Sequence, residues 1–167
     1  MKVALDCDGV ISNFFFDMCQ KYEKPYAKID TWNIDWISEK FHEIENDHDF
    51  WANMSMLNHP SSLNFEFDYY ISAFPIGMRK ARQKWLDDNG YPKKPLIHAY
   101  DKLPIMRKFN VDVLIDDKPE NCKQVQDAGL IAIRYQPYYF DYQDDCKYVA
   151  HSMIEVKNIL EQIKKES

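Results

Sequence analysis

Residues 111–117 read VDVLIDD, a nearly continuous apolar run that ends in two carboxylates. A strand that is apolar on both faces must be covered on both, the condition of a central strand in a parallel sheet with helices above and below. Four further runs have strand character: KVALD at 2–6, YYIS at 69–72, PLIHAY at 95–100 and LIAIRY at 130–135. Helical patterns separate several of them. GMRKARQKWLDDNG spaces Met78, Ala81, Trp85 and Leu86 along one side and stops at Gly90, while PENCKQVQDAG opens on Pro119 and stops at Gly129. The alternation predicts an α/β fold, a Rossmann-like parallel sheet with helices on both faces.

Residues 11–67 have a different character. ISNFFFDMCQKYEK and ISEKFHEIENDHDFWANM read as amphipathic helices, Trp32, Trp36 and Trp51 all fall here, and no strand stands out. The segment is expected to be a small helical cap inserted after the first strand, with His59-Pro60-Ser61-Ser62 turning the chain back to the sheet. Residues 1–10 and 68–167 then form the α/β core. The chain ends in VAHSMIEVKNILEQIKK, an amphipathic closing helix whose basic end suits its dipole.

Composition excludes several classes. A formal net charge of −6 with acids and bases interspersed argues against stable binding to nucleic-acid backbone. The four cysteines, Cys7, Cys19, Cys122 and Cys146, show no C-x-x-C spacing, and the five histidines add no metal-ligand pattern. Reduced thiols and a cytoplasmic location follow as the expectation. No apolar stretch approaches the roughly 18 residues that span a bilayer, so no membrane partner is expected.

Acids collect at the strand ends. Asp6 and Asp8 follow the first strand in LDCDG, Ser72 closes the second, Lys102 lies just past the third, and Asp116 and Asp117 end the fourth. In open α/β sheets ligands bind beyond those ends. Carboxylates converging on one crevice would repel unless a cation neutralised them, and an oxygen-only set suits Mg²⁺. A hydroxyl and an ammonium opposite that ion would hold a group with several anionic oxygens, which points to phosphate.

DCDGV at 6–10, the strand ending in Ser72, Lys102 and LIDD at 114–117 resemble the four ordered motifs of the haloacid dehalogenase superfamily of phosphotransferases. The resemblance implies Asp6 as the nucleophile that forms an aspartyl-phosphate and Asp8 as the general acid and base. It also implies Ser72 on the phosphoryl oxygens, Lys102 neutralising charge between nucleophile and phosphate, and Mg²⁺ held by Asp6, Asp117 and the main-chain carbonyl of Asp8. Asp116 stands behind that metal set. Within the superfamily the sequence is similar to the 5′(3′)-deoxyribonucleotidases, through D-x-D-G-V followed by Phe14, the aromatic pair Phe50-Trp51, and Asp101-Lys102 with the late L-I-D-D. That likeness makes Phe14, Phe50 and Trp51 candidates to line a nucleoside pocket, with the core of a helical lid as the plain alternative. The substrate implied is a small phosphomonoester, a nucleoside monophosphate. Where the family has T-S-P, this chain has Ser72-Ala73-Phe74-Pro75, and Tyr100 replaces an arginine before D-K, so substrate choice is open at Ala73 and Tyr100.

Rival readings share parts of this pattern. The IDD segment also resembles the phosphatase domain of polynucleotide kinase-phosphatases, which act on nucleic-acid 3′-phosphates, and other members of the superfamily take small metabolites. Receiver domains gather a similar set of residues as a phosphoacceptor switch, but with the acidic pair on the first strand. YQPYYFDYQDD at 135–145 fits none of these. It is expected to be a folded surface loop, with an aromatic contact between two copies of the chain as the other reading.

Overall fold

The computed structural model describes residues 1–166. Six strands, β1 (Val3–Leu5), β2 (Tyr69–Ser72), β3 (Leu96–His98), β4 (Val113–Asp116), β5 (Ile131–Tyr135) and β6 (Tyr148–Ala150), form one parallel sheet in the order β3-β2-β1-β4-β5-β6. Register is set centrally, where Ala4 faces Tyr69 on one side and Leu114 on the other. Alternation along the strands sends Val3, Leu5, Tyr70, Val113, Ile115 and Ile133 to one face and Ala4, Ile71, Leu114 and Ala132 to the other. Both sets are buried, so the sheet is flanked by helices as the apolar run at 111–117 requires.

The first face packs on α4 (Arg79–Asp88) and α7 (Met153–Glu166) through Trp85, Leu86, Val156 and Leu160; the second packs on α5 (Lys102–Phe109) and α6 (Pro119–Asp127) through Met106, Cys122 and Val125. Between β1 and β2 lie α1 (Phe14–Lys21), α2 (Asp35–Ile44) and α3 (His48–Ala52), with no strand of the sheet. Met18, Ile44 and Trp51 from this insertion belong to the same apolar cluster as Val3, Leu5 and Ile115. The insertion is thus seated on one face of the sheet. Its return is fastened by Leu57 N–H to the Ile11 carbonyl at 2.8 Å and by Asn58 Nδ2 to the Val10 carbonyl at 2.6 Å.

Three elements depart from the sequence reading. The helical stretch after residue 37 is two helices, because Asp47 caps α3 by accepting from Phe50 N–H at 3.0 Å. The helix α5 is an addition, capped by Asp101 and ended by Asn110 in the left-handed region at φ 54°. The strand β6 takes Val149 and Ala150 from the expected closing helix, which starts only after Ser152 accepts from Glu155 N–H. Among the described residues, no helix is long and apolar enough to cross a membrane.

The Tyr-rich segment is a strap across the insertion. Tyr139 and Phe140 are buried against Phe15, Cys19 and Trp32, Phe140 stacks on Trp32 with ring centroids 5.2 Å apart, and the Ile29 main chain bonds both Tyr139 and Asp141. Tyr138 stays exposed and its hydroxyl accepts from Tyr26 Oη at 2.6 Å.

Candidate active site

The strand β1 ends where the order of strands reverses, with β2 on one side and β4 on the other. A crevice at such a switch point is where an open α/β sheet binds ligands. Residues 6–12 fold into a tight loop there. The Cys7 carbonyl accepts from the N–H groups of Val10, Ile11 and Ser12 at 3.1, 2.8 and 3.0 Å, and Gly9 turns with φ +77°. A Cβ at Gly9 would lie 2.0 Å from Asp117 Oδ2. Glycine therefore permits both the left-handed turn and the close approach of the Asp117 carboxylate.

Lys102, at the start of α5, reaches back under this loop. Its Nζ lies 2.7 Å from Asp6 Oδ2 and 2.5 Å from Asp116 Oδ2. Asp116 is fully engaged: Asn121 Nδ2 also donates to Oδ2 at 3.0 Å, and Lys118 N–H donates to Oδ1 at 2.8 Å. Asp6 Oδ1 accepts from Cys7 N–H at 2.7 Å. Burial pushes the Asp6 carboxyl up to about 7, with Lys102 pulling down and Asp116 pushing up. Asp117 is raised well above the carboxylate range, first by burial and then by Asp116 and Asp6. Burial would lower Lys102, but Asp116 and Asp6 outweigh it and its ammonium is held charged. Three buried carboxylates gather around one ammonium that pairs with only two of them, Asp6 and Asp116, and oxygens of Asp6, Asp116 and Asp117 lie within 4.8 Å of one another. That surplus of hard oxygen donors fits a divalent cation. With Asp116 occupied by hydrogen bonds, Asp6 and Asp117 are the two carboxylates of this triad that line the open cleft.

Asp8 is held apart from this cluster. Its Oδ1 accepts from Ser12 Oγ at 2.7 Å and from Arg82 Nη2 at 3.0 Å. Arg82, on α4, is completely buried, with its guanidinium 5.5 Å from the Trp51 ring and 5.3 Å from the Trp85 ring.

Above the loop lies a cleft of about 200 Å³. Asp6, Asp8, Lys102 and Asp117 form its floor, and Phe14, Trp51 and Ala73 are on its walls, as are Trp32, Phe41 and Tyr100. Lys118 and Asn121 stand at one side. Phe50 is not on the cleft surface. It packs edge-on against Phe14 and Trp51, with centroids 6.0 and 5.4 Å away. Ser72 is also off the surface: its hydroxyl is buried beside the Cys7 thiol and has no hydrogen-bond partner among the described residues. The structure thus brings Asp6, Asp8, Asp117 and Lys102 together, with Asp116 beneath them.

Arg82 and Phe41 carry no mark in the sequence, and Trp32 stands out there only as one of the three tryptophans of the insertion. Arg82 sat inside a helical pattern as an ordinary polar position, and nothing local marks it as buried. No known protein family and no curated protein matches the sequence.

Proposed function

We propose that this protein is a Mg²⁺-dependent phosphomonoester hydrolase of the haloacid dehalogenase type, with residues 11–67 serving as its cap. The observation that carries the reading is the pairing of Asp6 with Lys102 at 2.7 Å, beside Asp117, on the floor of an aromatic cleft at the switch point of the sheet. Asp6 attacks phosphorus, the bond to the leaving oxygen breaks, and Asp8 gives that oxygen its proton. Water then attacks the aspartyl-phosphate, Asp8 takes the water's proton, and phosphate leaves with Asp6 restored. Lys102 keeps Asp6 from repelling the phosphate dianion. Mg²⁺, held by Asp6, Asp117 and the main-chain carbonyl of Asp8, would supply further neutralisation of the phosphoryl oxygens.

The aromatic walls support a nucleoside monophosphate as substrate, since Phe14, Trp32, Phe41 and Tyr100 line the cleft with partly exposed rings and the fully buried Trp51 backs them. The strand order weighs against a receiver-like switch, whose fold has the order 2-1-3-4-5.

The test is hydrolysis of 5′- and 3′-nucleotides, 3′-phosphorylated oligonucleotides, sugar phosphates and para-nitrophenyl phosphate by the purified protein. EDTA is expected to stop turnover, Mg²⁺ to restore it and Ca²⁺ to do so poorly, because its looser shell misaligns in-line attack. Phe14→Ala should lower nucleotide kcat/KM about 5- to 150-fold, the worth of about 1–3 kcal/mol of base stacking, while sparing the nitrophenyl ester. Metal-independent turnover, or equal losses on both substrates, would refute the metal site or the nucleoside pocket respectively.

A further inference from the structure

We propose that Arg82 is a positioning residue: it fixes Asp8 with Oδ1 turned inward, so that Oδ2 is the oxygen presented to the leaving group. The inference rests on the phosphatase reading above and concerns a residue that reading leaves unassigned. Among the described residues, the hydrogen bonds that reach the Asp8 carboxylate, one from Ser12 Oγ and one from Arg82 Nη2, both go to Oδ1. Asp8 itself lines the cleft, with 19% of its side chain exposed, whereas Arg82 is only 1% exposed. Burying a guanidinium carries a desolvation cost that a hydrophobic residue of the same volume would avoid. Here the cation is buried and the acid faces the cleft.

The box around Arg82 explains how its orientation is kept. Trp85 comes from its own helix α4, and Trp51 comes from the insertion. Each indole is itself tethered, Trp51 Nε1 to the Ile44 carbonyl at 2.8 Å and Trp85 Nε1 to the Met54 carbonyl at 2.6 Å. Arg82 Nη1 also meets the Met54 sulfur. A planar guanidinium held between two ring faces has little freedom to swing, which an ammonium would not share. The insertion therefore acts on Asp8 through Arg82, as well as walling the cleft.

The experiment compares kcat/KM for para-nitrophenyl phosphate, whose phenolate leaves without a proton, with that for an alkyl phosphate such as a 5′-nucleotide, whose alkoxide needs one. This ratio reports only the steps through leaving-group departure, so the shared hydrolysis of the aspartyl-phosphate does not blur it. Arg82→Met should cost the alkyl ester about 10²-fold or more and the nitrophenyl ester far less, in line with general acid catalysis. Arg82→Lys should restore part of the loss. Asp8→Asn should show the same split, and adding Arg82→Met to it should cost nothing more. If Arg82→Met does not fold, Arg82→Lys carries the comparison in both turnover and crystal structure, with a smaller split and a smaller shift of the Asp8 carboxylate expected. Equal losses on both esters, or additive losses with Asp8→Asn, overturn the proposal. A crystal structure of Arg82→Met decides it independently of turnover: Asp8 should change rotamer, and an unmoved carboxylate rejects the assignment. A wild-type protein inactive on every phosphate ester would instead overturn the phosphatase reading.

Discussion

Lys102 and Arg82 are both buried cations, and each holds a carboxylate of the same DCD loop, yet their surroundings differ in kind. Lys102 lies among Asp6, Asp116 and Asp117, outnumbered by acids and open to the cleft. Arg82 meets one carboxylate oxygen, one hydroxyl, the Met54 sulfur and two indole faces. The first arrangement has charge left over for a ligand to neutralise. The second has none left over, and its geometry is fixed by packing.

The widest separation between the two should come from Asp6→Asn. It removes the proposed nucleophile and also one acid from a crowded cluster, without opening a cavity. Phosphomonoester turnover should fall below a few per cent of wild type while the melting temperature holds or rises. Appreciable residual turnover would rule out Asp6 as nucleophile, and a large drop in melting temperature would make the Lys102 cluster as structural as the Arg82 box.

Gly9→Ala sharpens the contrast next, because it strikes the contact between the loop and the Asp117 carboxylate just past β4. The added Cβ would meet Asp117 Oδ2 at 2.0 Å on a backbone with φ +77°. Left-handed backbone alone costs a non-glycine residue about 1–2 kcal/mol, or about 2–8 °C of melting temperature in a chain of this size. Displacing Asp117 should lower activity beyond that, at least tenfold in kcat. A stable variant with full activity would show that Asp117 need not sit over the loop.

The smallest effect concerns pH. Asp6 and Asp117 bind protons more tightly in the fold than in the unfolded chain, where the carboxyl value is 3.8. Their contribution to stability is complete below that value and is lost as pH rises through the folded one, which for Asp6 is about 7. The metal-free protein should melt a few degrees lower at pH 7 than at pH 5, and Mg²⁺ should stabilise more at pH 7. Thermal melts across this range, with EDTA or excess Mg²⁺, check both signs. A flat profile would mean that the cluster is balanced without a cation.

The parts legible in the sequence are those where a local pattern and the fold require the same thing. VDVLIDD is central because its apolar residues face both ways, and YYIS matches β2 residue for residue. The acids at the strand ends converge because parallel strands bring every carboxyl end to one edge. Other features carried signals that were outweighed. S-x-x-E at 152–155 is a helix-start pattern that would have released Val149 and Ala150 to β6, and Asp101 with Asn110 brackets α5. Arg82 had no local signal. Its burial depends on Trp51, which reaches it only because the insertion folds back onto α4. Phe50 and Trp51 adjoin in sequence but differ in exposure to the cleft because a short helix points neighbouring side chains apart.

The strap from Tyr139 to Phe140 also has a consequence for how the chain is made. Tyr26 and Tyr138 are bonded to each other across 112 positions. The insertion leaves the ribosome early, but Phe15, Cys19 and Trp32 stay without their cover until the strap has been synthesised. Contacts this distant are paid for in loop-closure entropy and form slowly. The aromatic side of the insertion is therefore the surface most exposed to aggregation during synthesis, and its closing belongs to the late stages of folding.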